Sequence, residues 1–347
     1  MDKYNIYFVD WKNTQSEHRY KSLCLRYPNV YKINHGDMLA DTIRGCALLS
    51  SSDFFWVVSS LTDYSNFRFE DYNEDGLEPY MQVFGENTWF CSKQHLRAVP
   101  ANERYVDAFP DLHFVETDLK QDRLLLDIVY ISNGEPLAEK HYQHLLKVAK
   151  AGNKIHRISG VNGRTEAYQA AAKSSTTPWF FAVFAKLEVD SNFDWNWYPR
   201  QTAGPKHYVF DAHNPVTGLA YGHMAMIAYN REMVLGTKYT GLDFTMTKPH
   251  DVVHVNSGIA RYDQNPEIVW RTAFRECLKL RSSSNAVDVD RLTTWLAIGQ
   301  GEYGQWSIAG ARDAVDYYQQ VGGDFEQLLL SYNWSWLNQY FRQKYNL

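Results

Sequence analysis

Three basic residues, each four positions from the next, stand in the last third of the chain. Arg271, Arg275 and Lys279 fall within residues 266–280, where the apolar pattern predicts a helix, and this spacing places them on one face of it. Such a row of cations is suited to hold a leaving diphosphate or the phosphates of a nucleic-acid acceptor. The alternative interpretation is a solvated face above an apolar stripe of the same helix.

Polar loops with glycines follow predicted strands in the middle of the chain. Their residues are Ser132, Asn133, Gly134 and Glu135 in the first loop, Gly160 and Asn162 in the second, and Arg164 at the next helix start, with a further turn predicted at Gly258. In open α/β sheets, ligands bind beyond the carboxyl ends of strands, where helix N-termini present N–H groups to anions. The alternative is that these glycines only form tight turns. The chain has no Walker A or G-x-G-x-x-G sequence, which removes the main support for a kinase, an ATPase or a dehydrogenase.

Histidines are concentrated in one stretch, since five of the 12 fall within residues 207–254. A histidine or carboxylate within hydrogen-bond reach of an acceptor hydroxyl can take its proton as a general base. The candidates are His213 with Asn214, His223, and the cluster His250, Asp251 and His254, and among the carboxylates Asp211, Asp243 and Glu276. A single histidine is more often structural than functional, and the spacing here is not that of a helical zinc motif.

Two series of alternating strands and helices must position these residues. Apolar and β-branched runs predict strands at 6–11, 30–33 and 54–58 in the first series and at 124–131, 154–158 and 179–184 in the second, with helices between them. Strands at 206–211 and 222–229 follow, then a loop-rich region through Pro249 and the helix at 266–280. The aromatic-rich end, with Tyr332 and Trp334, is predicted to form a helix packed on the core. This order predicts an α/β protein with a mostly parallel sheet.

The two series are related by residue identities at an offset of 126, as between Phe54 and Phe180. Leu61 and Leu187 obey the same offset, and so do the Ser-Asn-Phe runs at 65–67 and 191–193. These matches predict a duplicated α/β module. We expect a degenerate N-terminal unit, 1–120, with a structural or acceptor-binding role, then a catalytic domain, 121–315, and a helical tail, 316–347.

Composition bounds the class of protein. The chain has 347 residues, with Lys+Arg 35 against Asp+Glu 40 and a net charge of −5, so any phosphate-binding surface must be local. The four cysteines have neither metal-ligand nor disulfide spacing. Because no signal sequence and no apolar run of membrane-spanning length is present, we expect a cytoplasmic protein with no membrane partner. The oligomeric state is left open.

A family resemblance is carried by residues 128–193. Ser132 and Asn133 end one strand, residues 160–164 open an alanine-rich helix, and WFFAVFAKLEVDSNFDW follows at 179–195. This arrangement resembles nucleotide-sugar glycosyltransferases of the GT-A type. The segments YVFDAHNP, AYGHMAMIAYN and WRTAFRECLKL resemble those of glycosyltransferases from T-even-like and marine phages. The resemblance covers residues 120–315 and implies a GT-A-like, Rossmann-like sheet and a UDP-sugar donor.

The chain departs from this family at the metal-binding motif. Where those enzymes have Asp-x-Asp, residues 184–186 read Phe-Ala-Lys, and residues 58–60 of the first repeat read Val-Ser-Ser. We expect Lys186 to neutralise the donor diphosphate directly, which would make a divalent metal dispensable. Two alternatives stay open: Glu188 and Asp190 form a shifted metal-binding pair on one strand face, or none of these residues touches the donor.

The resemblance implies roles for the residues already named. Ser132, Asn133, Gly134, Glu135, Gly160, Asn162, Arg164 and Lys186 would bind the nucleotide sugar, Asp243, Glu276 and Arg275 would serve catalysis, and His213, His223 and Arg271 would bind the acceptor. The implied acceptor is 5-hydroxymethylcytosine in double-stranded phage DNA, the sugar glucose or arabinose, and the site of action the host cytoplasm. The alternatives are a polysaccharide or protein acceptor, and a catalytically inactive scaffold that binds a nucleotide or glycan.

Overall fold

The structure, a computed structural model, describes residues 4–11, 15–34, 39–72, 74, 81–85, 88–98, 113–115, 117, 119–121, 125–149, 152–199, 206–236, 244–245 and 247–346. The description leaves out the side chains of residues 39–41, 95, 97–98, 113–114, 120–121 and 223–224. The chain divides into two compact units: Met1–Leu126 with Asn196–Lys206, and Asp127–Trp195 with His207–Leu347. The division therefore falls just after the expected boundary near residue 120, and the second unit includes the C-terminal tail.

The first unit contains strands β1 to β8 and helices α1 to α3. In chain order they are β1 (Asn5–Asp10), α1 (Ser16–Arg26), β2 (Val30–Asn34), α2 (Leu39–Leu49), β3 (Phe54–Ser59), β4 (Thr62–Asp63), β5 (Gln82–Phe84), β6 (Thr88–Ser92), α3 (Lys93–Ala98), β7 (His113–Val115) and β8 (Lys120–Gln121). Six strands form one sheet in the order β2-β1-β3-β6-β5-β7, and β4 pairs with β8.

The second unit contains the remaining elements. They are β9 (Asp127–Ser132), α4 (Ala138–Val148), β10 (Ile155–Ser159), α5 (Arg164–Ser174), β11 (Trp179–Phe184), β12 (Leu187–Val189), β13 (His207–His213), β14 (Ala220–Asn230), α6 (Arg231–Leu235), β15 (His250–Ala260), α7 (Pro266–Arg281), α8 (Ala286–Ala297), α9 (Gly304–Val321), α10 (Phe325–Leu329) and α11 (Trp334–Tyr345). A 3-10 turn, Leu330–Tyr332, joins α10 to α11. Helix α9 runs across the expected domain boundary at 315/316.

The two large sheets have the same strand order. The order β2-β1-β3-β6-β5-β7 in the first unit corresponds to β10-β9-β11-β14-β13-β15 in the second, where β12 is added at the edge. Each corresponding pair also runs in the same direction, parallel for β1 with β2 and β3 and for β9 with β10 and β11, and antiparallel for β3 with β6 and β11 with β14. A shared order and shared directions are what two copies of one module have.

The predicted α/β class is confirmed, and both sheets are mixed: three of the five strand pairs are parallel in the first sheet and three of the six in the second. In the second sheet, β14 runs antiparallel to both of its neighbours, β11 and β13. The cause is the short link between β13 and β14, because a parallel pair needs a crossover of about a dozen residues or more. The side chain of Asn214 holds this link in a turn by accepting the N–H groups of Val216 and Thr217 at 2.9 and 3.0 Å.

The second sheet is covered closely by α5 on one face. Ala171 and Ala172 of this helix are completely buried against Phe180 and Ala182 of β11 in a single apolar cluster. Alanines allow the helix backbone to approach the sheet, and β11 reads as a nearly unbroken apolar run because both of its faces are buried. This packing fixes the carboxyl ends of the central strands.

The C-terminal helices pack on one another around a buried carboxylate. Asp313 of α9 accepts hydrogen bonds from the Trp270 indole of α7 at 2.8 Å and from the Tyr345 hydroxyl of α11 at 2.7 Å. Lys344 lies 2.7 Å from the other oxygen of Asp313. Gly310 lets α9 approach α7, because a Cβ there would lie 2.4 Å from the Trp270 carbonyl oxygen. Within the described residues, no helix is both long enough and apolar enough to cross a membrane.

Candidate functional site

The loops predicted to form a ligand-binding edge lie at the carboxyl ends of β9 and β10. The Gly160 N–H group donates to the Ser132 carbonyl at 3.2 Å, so the two loops meet directly. Glu135 accepts the N–H group of the exposed Asn133 at 2.6 Å. The exposed Gly134, Gly160 and Asn162 complete this edge, and α5 begins at Arg164.

Lys186 lies on the short turn between β11 and β12, and main-chain hydrogen bonds fix this turn on both sides. The Ala185 N–H group donates to the Ile131 carbonyl at 2.9 Å, and the Arg261 N–H group donates to the Lys186 carbonyl at 2.7 Å. The buried His141 ring makes a third contact, at 2.7 Å from its Nδ1 to the Ala185 carbonyl. The backbone that carries Lys186 is therefore held by three different elements of the unit.

The Lys186 ammonium stands in a half-buried, electropositive position. The pKa of Lys186 is lowered to about 8, and burial is the largest cause. The nearby cations Arg275 and Lys279 lower it further, whereas Glu276 and Glu135 raise it. Within the described parts of the chain, no carboxylate forms an ion pair with Lys186. A cation that is partly removed from water without a direct counter-ion is suited to bind an anion from solution.

Arg275 is the centre of this group of cations. It lowers the pKa of Arg271, one turn before it on α7, where burial is the larger cause, and it also lowers the pKa of Lys186. The Nε atom of Arg275 is buried, and none of the described residues offers it a hydrogen-bond acceptor. The predicted helical face with Arg271 and Arg275 is therefore half-buried rather than a freely solvated surface.

Two aromatic side chains of the C-terminal segment lie against these arginines. The Tyr332 ring has the guanidinium carbons of Arg164 and Arg275 at 4.0 and 4.6 Å from its centroid. The Trp334 ring has the guanidinium carbon of Arg271 at 4.0 Å. We call Lys186, Arg164, Arg271 and Arg275, with these two rings, the cation cluster.

Tyr332 and Trp334 are not among the site residues that the sequence predicts. Their segment is predicted to form one helix against the core, but Tyr332 belongs to the 3-10 turn and Trp334 is 42 % exposed. The spacing itself indicates that Tyr332 and Trp334 do not both face the core, because residues two apart do not share one face of an α-helix. Trp336 and Tyr340, four apart and both partly buried, do pack against the buried Phe274.

Glu276 is the candidate carboxylate that lies beside the cation cluster. One of its oxygens lies 2.8 Å from the Lys279 ammonium, and the other accepts a hydrogen bond from the Tyr221 hydroxyl at 3.3 Å. Its negative charge raises the pKa of the Lys186 ammonium, whereas burial and the neighbouring cations lower it. Asp243, the other carboxylate predicted to be catalytic, lies outside the described residues.

The alternative metal pair has protein partners. Glu188 forms an ion pair with Arg261 at 2.7 Å, and this contact lowers the pKa of the Glu188 carboxyl. Asp190 accepts the Asn256 amide at 3.0 Å and the Asn192 N–H group at 2.8 Å. Among the residues that the structure describes, no three His, Cys, Asp or Glu side chains are grouped to hold a metal ion.

The predicted acceptor-binding histidines lie apart in the sheet. His213 ends β13, opposite Ala220 of β14, and His223 lies in β14 with a side chain outside the described part. Of the two acceptor-binding candidates with described side chains, His213 and Arg271, the contacts place Arg271 in the cation cluster. The neighbouring His254, which is largely exposed, forms a hydrogen bond at 3.1 Å with the carboxylate of Asp211.

The predicted turn at Gly258 is wrong, because this glycine lies inside β15. It pairs with Val189 of β12, and its φ of +142° is a conformation that other residues rarely adopt. A Cβ at this position would lie 2.1 Å from the Glu188 carbonyl oxygen. The glycine is therefore needed for the close approach of β15 to the strand that follows Lys186.

Comparisons with known proteins add little to this geometry. No family model matches the chain, and no curated protein matches it. The crystal structure of HddC from Yersinia pseudotuberculosis is similar over 38 % of this chain and 91 % of its own, with 10 % sequence identity and a TM-score of 0.26. A likeness at this level supports no argument about fold or activity.

Proposed function

We propose that this protein is a glycosyltransferase of the GT-A type that binds the diphosphate of a UDP-sugar without a divalent metal. The observation that carries the proposal is the cation cluster, in which Arg275 lies close enough to lower the pKa values of both Lys186 and Arg271, and none of the three has an ion-paired carboxylate among the described residues. Lys186 also occupies the turn where the resembling enzymes have their metal-binding carboxylates. An anionic ligand would remove the mutual repulsion of these cations.

The nucleotide would lie along the neighbouring loops. Ser132, Asn133 and Glu135 at the end of β9 are the polar groups for the base and ribose, and Glu135 already holds the Asn133 N–H group at 2.6 Å. Gly134, Gly160 and Asn162 would line the same edge, and Arg164 at the start of α5 would face the phosphates.

The transfer step follows from these positions. The acceptor oxygen forms a bond to the anomeric carbon while the bond from that carbon to the diphosphate oxygen breaks, and UDP leaves with the electron pair. Lys186 and Arg275 stabilise the charge that develops on the diphosphate. Glu276, whose charge acts on Lys186, would take the proton of the acceptor hydroxyl.

The proposed acceptor is 5-hydroxymethylcytosine in double-stranded DNA, with glucose or arabinose as the sugar. It rests on the resemblance to phage enzymes and on the local concentration of positive charge in a chain with a net charge of −5. A base in a duplex must leave the stack to reach such a site.

The test is a transfer assay with a panel of UDP-sugars, hydroxymethylated and unmodified DNA, and mass spectrometry of the nucleosides. We expect sugar on the hydroxymethylated DNA alone, at the same rate with and without EDTA. Loss of transfer in EDTA would contradict the role of Lys186. UDP binding without transfer to DNA would indicate a polysaccharide or protein acceptor or a binding scaffold, and a protein that binds no UDP would contradict the proposal.

A further inference from the structure

We propose that Tyr332 is a positioning residue of the diphosphate site, whose ring holds the guanidinium groups of Arg164 and Arg275 at one anion. This inference rests on the proposed function, since it assumes that the cation cluster binds a diphosphate. It assigns to the C-terminal segment a part in ligand binding that neither the predicted helical tail nor the resemblance implies.

The geometry joins two separate elements through one ring. Arg164 is the first residue of α5 and Arg275 lies in the middle of α7. Their guanidinium carbons lie 4.0 and 4.6 Å from the centroid of the same Tyr332 ring. Both distances are within the range of a cation–π contact. The ring therefore brings together two cations that the sequence separates by more than a hundred residues.

The turn that carries Tyr332 is anchored on both sides. The buried Ser331 hydroxyl donates to the Leu328 carbonyl at 2.7 Å, and the Asn333 N–H group donates to the Leu330 carbonyl at 2.8 Å. The side chain of Asn333 then caps α11 by accepting the Trp336 N–H group at 3.1 Å. Tyr332 thus sits on a fixed turn, and its ring can act as a rigid support.

The electrostatics explain why such a support is useful. Arg275 lowers the pKa values of both Lys186 and Arg271, so these cations repel one another. An aromatic face attracts a cation and adds no negative charge that would compete with an incoming diphosphate. A guanidinium that presents its face to a ring does not use its in-plane N–H donors for that contact.

The experiment measures binding of UDP and of inorganic pyrophosphate by calorimetry, in EDTA, to the full-length protein and to four variants. Tyr332→Ala and Tyr332→Leu remove the aromatic face, and Tyr332→Phe keeps it. Tyr318→Ala is the matched control, because Tyr318 contacts Arg281 of α7 at 5.4 Å, outside the cation cluster. Thermal unfolding of each variant checks that it is folded.

We expect Tyr332→Ala and Tyr332→Leu to bind both probes about tenfold more weakly, with uridine binding unchanged. Tyr332→Phe and Tyr318→Ala should bind as the wild type does. Wild-type affinity for both probes in a folded Ala or Leu variant would overturn the inference and leave the proposed function standing. A wild-type protein that binds neither probe would overturn the proposed function, and this inference with it.

Discussion

The two units carry the same turn after corresponding strands but place opposite chemistry on it. In the first unit, the Ser60 N–H group donates to the Val9 carbonyl at 2.9 Å, as Ala185 does to Ile131 at 2.9 Å in the second. These hydrogen bonds and the strand registers align Ser60 with Ala185, so the buried Leu61 corresponds to Lys186 in the structure, although the sequence offset of 126 pairs Ser60 with Lys186. The first unit uses the Ser60 hydroxyl internally, to accept the Trp11 N–H group at 2.9 Å.

Lys32 at the edge of the first unit and Lys186 at the edge of the second also have different electrostatic surroundings. In the first unit, Lys32 lies 3.0 Å from Asp10 and 3.0 Å from Glu17, and these carboxylates raise its pKa, Glu17 most strongly. In the second unit, burial and neighbouring cations lower the pKa of Lys186 to about 8. The first edge is neutralised by the protein, whereas Lys186 on the second has no ion-paired carboxylate among the described residues. Under the proposed function, the side chains on the edge and not the shared fold would decide which copy binds the ligand.

Lys186→Ala is expected to have the largest effect on this difference. Without the ammonium, the charge developing on the diphosphate loses its nearest cation, and sugar transfer should fall about 100-fold. Lys32→Ala is the matched control, because its ion pairs lie within the first unit. Initial rates by mass spectrometry, with thermal unfolding of both variants, test this. A folded Lys186→Ala protein with the wild-type rate would remove the distinction between the two edges.

Arg275→Lys tests whether the shape of the cation matters as well as its charge. The variant keeps a positive charge but loses the planar group that stacks on Tyr332, and we expect UDP affinity to fall about tenfold. Arg281→Lys, on the same helix and outside the cluster, should leave affinity unchanged. Equal calorimetric affinities for the two variants would show that the planar group is not needed.

The pH dependence of UDP binding follows from the lowered pKa of Lys186. Below about 8 the ammonium is charged and binds the diphosphate, and above that value it loses its proton, so affinity should fall as pH rises from 7.5 to 9.5. Bound diphosphate favours the charged form, so binding should take up protons in this range. Lys186→Arg should show a flat profile, because arginine stays charged. A wild-type affinity that rises over the same range would contradict the assignment.

Lys279→Ala should have the smallest effect, although Lys279 lies on the same helical face as Arg275. Its ammonium is already paired with Glu276 at 2.8 Å, so it has less charge to offer a ligand. We expect UDP affinity to change less than about threefold. A loss of UDP affinity as large as the loss that Lys186→Ala causes in the same titration would show that an ion-paired cation contributes as much as Lys186 does.

The sequence predicts the helices and strands whose apolar pattern or end residues are distinctive. The strand Trp179–Phe184 and the helix from Pro266 lie where the sequence places them, because one is a continuous apolar run and the other has Pro in its first turn. Strand β15 was missed because its sequence, HDVVHVNSGIA, is polar and most of its first residues are exposed. The antiparallel direction of β14 was also missed, although the short link at Asn214 contains its cause.

The sequence predicts those residues of the candidate site that a short motif or a helical spacing identifies. It does not predict the residue that joins the site through contacts between segments distant in the chain. Spacing placed Arg271 and Arg275 on one face of α7, and the resemblance selected Lys186. No local pattern indicates that Tyr332, far along the chain, lies between Arg164 and Arg275. Such a contact is set by the packing of whole helices.

We propose that the edge of the second unit binds a diphosphate directly. Calorimetric titration of the wild-type protein with UDP and with uridine, in EDTA, tests this. We expect UDP to bind at least about 100-fold more tightly than uridine, because the diphosphate adds charge-assisted hydrogen bonds to Lys186 and Arg275. Equal affinities for the two, or binding of UDP that disappears in EDTA, would contradict it.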